Sequence, residues 1–303
     1  MRDQISDEIF KILPKRLILS AILAVFASAF FVLNDAIIKF VAMKDVEFYH
    51  FIFYGTPAYL VVPIYLLLLG KASEKLGATN YKIPLLRGLI FLPMPLLTFL
   101  ALESISLPEF TTLAMTAPLF SVVFSVFLLK EKNNIFLVIS LLFGIGGVFL
   151  VMKPGFDSFD PFFLLVLLNA FLIAMSTFIV NKFDKITSSE GYFFYGGIFV
   201  HMLSIILFIL DPMFFDLHTS ALMIFASIFV NLAIFLVVVA FKTAQDFYGS
   251  ISCLNYLQIL WSVIIGGLFF EQALDFFAAI GSFLIVLSGF FSVPAQAWPI
   301  RKK

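Results

Sequence analysis

The sequence contains few of the residues that carry covalent or metal chemistry in proteins. It has one cysteine, Cys253, and three histidines among its 303 residues. One cysteine excludes an internal disulfide framework and a cluster of thiolate ligands, and three scattered histidines do not have the spacing of a zinc site. No serine elbow, paired metal-binding histidines or phosphate-cradling glycine loop is present. We therefore expect no enzymatic activity, no metal and no cofactor.

Charge is also scarce, and it is balanced. Charged residues make up 13% of the chain, and 19 basic residues offset 19 acidic ones. A net charge of zero disfavours nucleic acid and other strongly charged macromolecules as partners. Hydrophobic residues make up 62%, and the mean hydropathy of +1.10 is far above that of soluble domains. Membrane lipid is therefore the expected surrounding of most of the surface.

Apolar blocks fill the chain from Leu17 to Val293. Each is about 20 residues long, which matches a hydrocarbon core of about 30 Å at about 1.5 Å per helical residue. Short polar or Pro/Gly-rich stretches separate the blocks. The sequence thus predicts an all-α membrane protein with ten transmembrane helices. The predicted blocks are 17–39, 48–69, 84–102, 109–129, 134–152, 161–181, 190–210, 219–241, 247–269 and 273–293.

The basic residues lie almost entirely in alternate gaps between the blocks. With the N-terminus placed in the cytoplasm, 16 of the 19 lysines and arginines fall on the cytoplasmic side. Only Lys39, Lys44 and Lys153 fall on the other side. Cytoplasmic connections of membrane proteins carry this excess of basic residues. The pattern predicts a multi-pass protein of the inner (plasma) membrane with both termini in the cytoplasm.

The stretch 152–160 follows the fifth block and divides the chain into two halves. We expect a first five-helix repeat at 17–152 and a second at 161–293, flanked by a cytoplasmic segment at 1–16 and a basic tail at 294–303. Because five is odd, the second repeat must enter the membrane from the opposite face. The result is two inverted five-helix repeats, as in many secondary transporters. Since one chain holds both repeats, a monomer and a homodimer both stay open.

Polar residues inside the blocks are the candidates for function. A charge near the bilayer centre costs about 2.5–3.5 kcal/mol, so such residues usually face a cavity or a partner. Asp35 can meet a substrate amine or carry a coupling proton, and His50 can also couple protons because histidine titrates near neutral pH. The amides of Asn255 and Gln258 share one face, which suits a polar metabolite. The predicted substrate-binding residues are Asn34, Asp35, His50, Tyr54, Thr116, Asn169, Asn255, Tyr256, Gln258 and Trp261.

Each candidate also has a structural interpretation. Lys39 lies four residues after Asp35 on the same helix face, so the two can neutralise each other. His50 can form a hydrogen bond near the outer interface, and Thr116 can bond back to its own helix. The amides of the predicted ninth helix, 247–269, can form hydrogen bonds between helices instead of contacting a substrate. Arg87, at the start of the third block, can be an interfacial anchor or a gate contact.

Short motifs recur along the whole chain in a characteristic order. They are Arg87-Gly88, Ala101-Leu102, Ala117-Pro118-Leu119-Phe120, Leu129-Lys130-Glu131, Gly144, Gly147 and Lys153-Pro154-Gly155 in the first half, and Asn255-Tyr256-Leu257-Gln258, Trp261, Phe270-Glu271 and Gly281 in the second. In this order and spacing they resemble the EamA family of the drug/metabolite transporter superfamily. The resemblance implies ten helices in two five-helix repeats, and transport of small organic metabolites through a central cavity by alternating access. It does not fix the substrate.

Together these features predict a secondary transporter that moves a small polar organic metabolite, such as an amino acid or a nucleoside, across the inner membrane. The sequence contains no nucleotide-binding domain, so facilitated or ion-coupled transport is expected. Two other classes stay open. A membrane-embedded enzyme or lipid-handling protein would need titratable groups clustered at one interface. A non-transporting scaffold subunit would not need polar groups that line a cavity.

Overall fold

The computed structural model describes residues 15–44, 46–129, 135–153, 160–183, 185–244 and 254–297. Over these residues the chain is almost entirely helical, and its β structure is one isolated bridge between Ala78 and Thr187. The helices are α1 (Lys15–Ala42), α2 (Phe48–Leu68), α3 (Ala72–Leu76), α4 (Lys82–Phe91), α5 (Met94–Ser104), α6 (Leu107–Ala114), α7 (Ala117–Leu129), α8 (Ile135–Met152), α9 (Phe162–Lys182), α10 (Ser189–Leu210), α11 (Leu217–Ala244), α12 (Leu257–Phe270) and α13 (Phe276–Ala297), with a 3₁₀ turn at Leu254–Tyr256 before α12.

The predicted all-α membrane class is confirmed by the length and composition of these helices. Six segments of the described chain are long and apolar enough to cross a membrane: Ile18–Ala42, Phe48–Leu68, Lys82–Ser104, Phe162–Val180, Ser189–Leu210 and Leu217–Ala240. Three shorter apolar helices are Ile139–Met152, Leu254–Phe270 and Phe276–Phe291. Residues 247–253 of the predicted ninth block lie outside the described residues, as do Lys130, Glu131 and Pro154-Gly155 of the motifs.

Prolines divide the third and fourth predicted blocks into two helices each. Pro93 lies between α4 and α5, and Pro118 is the second residue of α7. Proline has no N–H to donate and its ring clashes with the preceding turn, which weakens the helix at these two positions. Proline alone does not force a break, since α2 continues through Pro57 and Pro63. At the second break, Thr116 Oγ1 donates to the carbonyl oxygen of Leu113 at 2.6 Å. The hydroxyl hydrogen of Thr116 is thus used inside its own segment, as the structural interpretation of this residue expects.

The most extensive interfaces join helices that are distant in sequence, α1 with α11 and α8 with α13. On α1, Ala24 meets Ala240 of α11. The ring of Phe30 stacks on that of Phe229, with 5.4 Å between the centroids. The residue numbers rise on one helix as they fall on the other, so α1 and α11 are antiparallel.

Glycines let α8 and α13 approach closely. A Cβ atom at Gly147 would lie 2.7 Å from the carbonyl oxygen of Gly281, and one at Gly281 would lie 2.7 Å from the carbonyl oxygen of Gly147. Nearby, Ser140 Oγ donates to the carbonyl oxygen of Ser288 at 2.9 Å. Small residues permit this kind of backbone approach at helix interfaces in membranes. A backbone oxygen cannot turn aside as a side chain can, so the two helices must separate to admit a methyl group.

We expect Gly147→Ala to lower thermal stability, by about 1–3 kcal/mol as in other overpacked interiors. Its neighbour is the matched control. A Cβ atom at Gly146 would meet only a methyl group of Leu284 at 3.9 Å. Alanine is also favoured over glycine in a helix by up to about 1 kcal/mol, so Gly146→Ala should keep or slightly raise stability. Thermal unfolding of both variants in detergent measures the difference, and equal melting temperatures would contradict the close contact.

Candidate substrate-binding site

Asp35 is the one acidic residue of the described helices that lies more than one turn from a helix end. Its carboxylate accepts a hydrogen bond from the side-chain amide of Asn34, with 3.1 Å between Nδ2 and Oδ1. Asn34 is buried and Asp35 is half-buried. Among the described residues, no lysine, arginine or histidine forms an ion pair with Asp35. The carboxylate is thus held inside a membrane helix by a neutral partner.

Lys39 does not form an ion pair with Asp35, which was the structural interpretation of these two residues. Its ammonium donates to the carbonyl oxygens of Leu102 at 2.6 Å and Ile105 at 2.7 Å, and the residue is only 3% exposed. These carbonyls end α5, where the helix dipole is negative and the oxygens lack partners within the helix. Carbonyl oxygens inside a membrane need hydrogen-bond donors, and Lys39 is the donor here. It therefore binds the end of α5 and not Asp35, its neighbour on the same helix face.

Other side chains fasten the same end of the bundle. Gln272 Oε1 accepts a hydrogen bond from the N–H of Leu107 at 3.0 Å, which joins the α12–α13 connection to the start of α6. Ser104 Oγ donates to Asp160 Oδ2 at 2.8 Å, just before α9. We call this end of the bundle the Lys39 end. It brings together the end of α1, the α5–α6 turn, the start of α9 and the start of α13.

An ion pair between Lys153, after α8, and Asp275, before α13, also lies at the Lys39 end. Partial burial would raise the pKa of Asp275. However, Lys153 and the backbone N–H groups of Phe277 and Ala278 bind the charged form, so the pKa lies below its ordinary value. The α12–α13 connection is therefore fixed at two points, Gln272 and Asp275.

Asn169 of α9 is bonded to Thr98 of α5. Its Nδ2 donates to Thr98 Oγ1 at 2.8 Å, and the residue is only 7% exposed. Its Oδ1 is buried and has no hydrogen-bond partner among the described residues. Sequence analysis selected Asn169 but missed Thr98. Nothing in a run of apolar residues tells whether the single threonine of α5 faces an amide of α9, because the pairing depends on how the two helices are rotated.

Asp35, Thr98 and Asn169 lie at one level of the bundle. Asp35 precedes the end of α1 by seven residues, Thr98 precedes the end of α5 by six, and Asn169 follows the start of α9 by seven. All three termini are at the Lys39 end. At about 1.5 Å per residue, each of the three side chains is about 10 Å inside the bundle. α5 packs against both α1 and α9, so it connects the two helices that carry Asp35 and Asn169.

α12 runs parallel to α1. Trp261 Nε1 donates to Ser28 Oγ at 3.1 Å, and further along both helices Lys39 Nζ lies 5.9 Å from the centre of the Phe270 ring. The residue numbers therefore rise together on the two helices. This register places Trp261 beside the α1 residue that is seven positions before Asp35.

The polar residues of α12 and of the 3₁₀ turn before it consequently lie at another level than Asp35. Trp261 is about 10 Å from the Asp35 level, and Asn255, Tyr256 and Gln258 precede Trp261, farther from the Lys39 end. Gln258 and Tyr256 are buried, and Asn255 is half-buried in the 3₁₀ turn. The structure brings α1 and α12 together as neighbours, but it does not bring these residues together with Asp35.

His50 fastens the start of α2 to the α10–α11 connection. Its Nε2 lies 3.2 Å from the carbonyl oxygen of Asp211, so Nε2 carries the proton and donates. Its Nδ1 is buried with no hydrogen-bond partner among the described residues. Tyr49 donates to the carboxylate of the same aspartate at 2.6 Å. Tyr54 packs edge-on against Phe215, with 6.0 Å between the rings. These contacts favour the structural interpretation of His50, and proton coupling through it stays a prediction.

Arg87 lies among three helices. Its Nε donates to Ser176 Oγ of α9 at 2.9 Å, and its Nη1 donates to the carbonyl oxygen of Tyr192 in α10. A Cβ atom at Gly196 would lie 2.5 Å from Nη1, so α10 accepts the guanidinium only where it has no side chain. Arg87 therefore joins helices and does not act only as an interfacial anchor.

Residues 16–153 match the model of the EamA-like transporter family. This part of the chain is therefore similar in sequence to that family. The EamA-like segment begins with α1 and ends just after α8, so it coincides with the predicted first repeat. The family resemblance of the motifs is thereby confirmed.

Two curated relatives are similar over most of the chain, and both are named S-adenosylmethionine uptake transporter. The one from Rickettsia bellii (strain RML369-C) is 25% identical over 278 residues, which cover 89% of this chain and 91% of the relative. The one from Rickettsia conorii (strain Malish 7) is 24% identical over 278 residues, which cover 89% and 90%. An uncharacterized transporter of Helicobacter pylori (strain 26695) is 24% identical over 213 residues, which cover 67% of this chain and 71% of the relative.

A solved crystal structure has the same fold along nearly the whole chain. Its TM-score is 0.61 at 18% identity, and the match covers 93% of this chain and 99% of that one. This likeness concerns the fold alone, but it extends to the second half, which the EamA-like match does not reach. The family and the relatives together point to a multi-pass membrane transporter of small metabolites and not to an enzyme.

Proposed function

We propose that this EamA-like protein is a secondary transporter that moves a small, positively charged or zwitterionic metabolite across the inner membrane by alternating access. The observation that carries the proposal is Asp35, a membrane-embedded carboxylate with no basic partner among the described residues. S-adenosylmethionine is the substrate we favour. It carries a sulfonium and an ammonium group, and two relatives that match nearly the whole chain are named for its uptake.

The electrostatics of Asp35 support a cationic ligand. A carboxylate inside a membrane is costly unless it is neutralised by a proton, a partner or a cavity ligand. The lysine four residues later is not that partner here, because its ammonium donates to the carbonyl oxygens of Leu102 and Ile105 and forms no ion pair with Asp35. A sulfonium or ammonium group of a substrate, or a coupling proton, can take its place. Asp35 can therefore have both predicted roles, substrate binding and proton coupling, if a substrate cation and a proton neutralise it in turn.

The directions of neighbouring helices support ten crossings. α9 is antiparallel to the α4–α5 pair, because Ser176 bonds to Arg87 while Asn169, earlier in α9, bonds to Thr98, later in the pair. α1 is likewise antiparallel to α11 and parallel to α12. These are the directions that the first, third, sixth, eighth and ninth of ten successive crossings must have. In this count the α4–α5 and α6–α7 pairs each form one crossing.

The packing partners are also equivalent in the two halves. If crossings one to five correspond to crossings six to ten, each contact between the halves has a counterpart in which the two halves have changed roles. The first crossing packs on the eighth and ninth, and the sixth packs on the third and fourth. The parallel pairs correspond as well: α9 and α7 meet through Phe171 against Phe120 and, farther along both helices, Phe178 against Phe124. This exchange supports two inverted repeats, at 17–152 and 161–293. Cytoplasmic placement of both termini stays a prediction from the basic residues.

The contacts at the Lys39 end suggest how access alternates. That end is fastened by Lys39, Gln272 and the Lys153–Asp275 pair, and Asp35 lies about 10 Å beneath it. A substrate bound at Asp35 is therefore closed off from this side. To release it here, the two repeats must rock apart and break these contacts.

Uptake into proteoliposomes tests the proposal. Purified protein in vesicles should accumulate or exchange labelled S-adenosylmethionine, and vesicles without protein should not. Excess unlabelled S-adenosylmethionine should compete, and an uncharged nucleoside such as adenosine should compete poorly because it has no cation for Asp35. Stronger competition by adenosine than by cationic compounds would refute the cation-binding proposal.

A further inference from the structure

The buried oxygen of Asn169 has a geometry that the cation site does not explain. The amide nitrogen of Asn169 donates to Thr98, and Asn169 is only 7% exposed. Its Oδ1 nevertheless has no hydrogen-bond partner among the described residues. A buried acceptor without a partner costs about 1–3 kcal/mol. A hydrophobic side chain of similar size would avoid that cost, so a purely packing role does not account for an asparagine here.

The position of Asn169 relates it to Asp35. The two residues lie at the same depth from the Lys39 end, on helices that both pack against α5. Packed helices are about 8–10 Å apart between axes, so two such steps bound the lateral separation at about 20 Å. An elongated metabolite with a cation at one end and a neutral polar group at the other can contact both residues.

We propose that Asn169 is a specificity residue that accepts a hydrogen bond from an N–H of the neutral part of the substrate, such as the exocyclic amine of a nucleobase. Thr98 is its positioning residue, because its hydroxyl holds the amide nitrogen and so leaves Oδ1 as the free acceptor. This inference rests on the proposed transport function. It adds the division of the ligand between two residues: Asp35 for the cationic part and Asn169 for the neutral part.

Two ligands that share the cationic part separate the two roles. S-adenosylmethionine and S-methylmethionine both carry sulfonium and ammonium groups, but only the first has a nucleobase. In Asn169→Leu, the affinity for S-adenosylmethionine relative to S-methylmethionine should fall about threefold to tenfold, the usual worth of one hydrogen bond. Thr98→Val should shift the same ratio in the same direction by less. Because both ligands are measured on one preparation, partial misfolding cancels in the ratio.

Asn231 of α11 provides the control. It is a half-buried asparagine whose Nδ2 donates to the carbonyl oxygen of Ser227 in its own helix at 2.7 Å. Asn231→Leu should leave the ligand ratio unchanged. The melting temperature of the ligand-free Asn169→Leu protein should change little, since the lost bond to Thr98 is offset by removal of the unsatisfied acceptor Oδ1.

The outcomes are distinct. A lower ratio in Asn169→Leu, with unchanged affinity for S-methylmethionine, supports the inference. An unchanged ratio, or equal losses for both ligands, overturns it and leaves the cation site at Asp35 standing. Failure of the unmodified protein to bind either ligand overturns the proposed function, and this inference with it.

Discussion

Asp35→Asn should reduce transport of a cationic substrate by about 30-fold or more while leaving the protein folded. Truncating one partner of a buried charge pair costs about 2–5 kcal/mol, which is about 30-fold to several thousand-fold in affinity. The amide keeps the size of the side chain and its place beside Asn34. Uptake of labelled S-adenosylmethionine and the ligand-induced shift of the melting temperature measure the loss.

The same substitution should affect stability in the opposite direction. In the ligand-free protein the carboxylate has no basic partner among the described residues, so a neutral amide should keep or raise the melting temperature. Glu103→Gln, at the exposed end of α5, removes an acid without touching the site and should change neither property. A parallel loss of stability and transport in Asp35→Asn would contradict the binding role and indicate a structural one.

Proton coupling can be separated from binding with the same vesicles. If a proton neutralises Asp35 between substrate cycles, uptake by the unmodified protein should respond to an imposed pH gradient. Any residual uptake by Asp35→Asn should not respond, because the amide does not titrate in this range. A pH response that survives in Asp35→Asn and is lost in a His50 variant would assign coupling to His50 instead.

The features that sequence predicts well are those that depend on local composition. Runs of apolar residues with the length of a bilayer become helices because only internally bonded backbone is stable in lipid. Proline marks positions where a helix can break, because it acts on its own turn, but it does not decide the break: Pro93 and Pro118 lie at breaks, whereas α2 continues through Pro57 and Pro63. Asp35 is recognisable as a candidate for the same kind of reason, since an acid in an apolar run is conspicuous without knowledge of its neighbours.

The features that sequence misses depend on which helices meet and in what register. The acceptors of Lys39 are the carbonyl oxygens of Leu102 and Ile105, more than 60 residues away, and carbonyl oxygens have no signature in a sequence. The sequence alone therefore leaves open whether Lys39 pairs with Asp35 or with another group. The level of Asn255 depends on the register of α12 against α1, which the Trp261–Ser28 bond reveals only in three dimensions.

Lys39→Met should destabilise the protein by about 3–6 kcal/mol, because hydrogen bonds to charged groups contribute about 1.5–3 kcal/mol each and this ammonium makes two. Methionine fills most of the space of the lysine stem but donates nothing, so the carbonyl oxygens at the end of α5 stay buried without a donor. Thermal unfolding measures the loss. Lys44→Met is the matched control: Lys44 is exposed and its ammonium lies 4.3 Å from the Phe40 ring, so its removal should change stability little.

The transport behaviour of Lys39→Met distinguishes two roles of Lys39. Either Lys39 only holds α1 to the end of α5, or it also contributes to the substrate site. If Lys39 only fastens this end, the variant should bind S-adenosylmethionine with an affinity close to that of the unmodified protein at a temperature where both are folded. Asp35 keeps its neighbour Asn34 in that variant. Opening at the Lys39 end should become easier because two of its bonds are gone, so exchange across the membrane should not slow. Unchanged stability would mean that the α5 carbonyls have other donors, whereas lost affinity with retained stability would place Lys39 in the site beside Asp35.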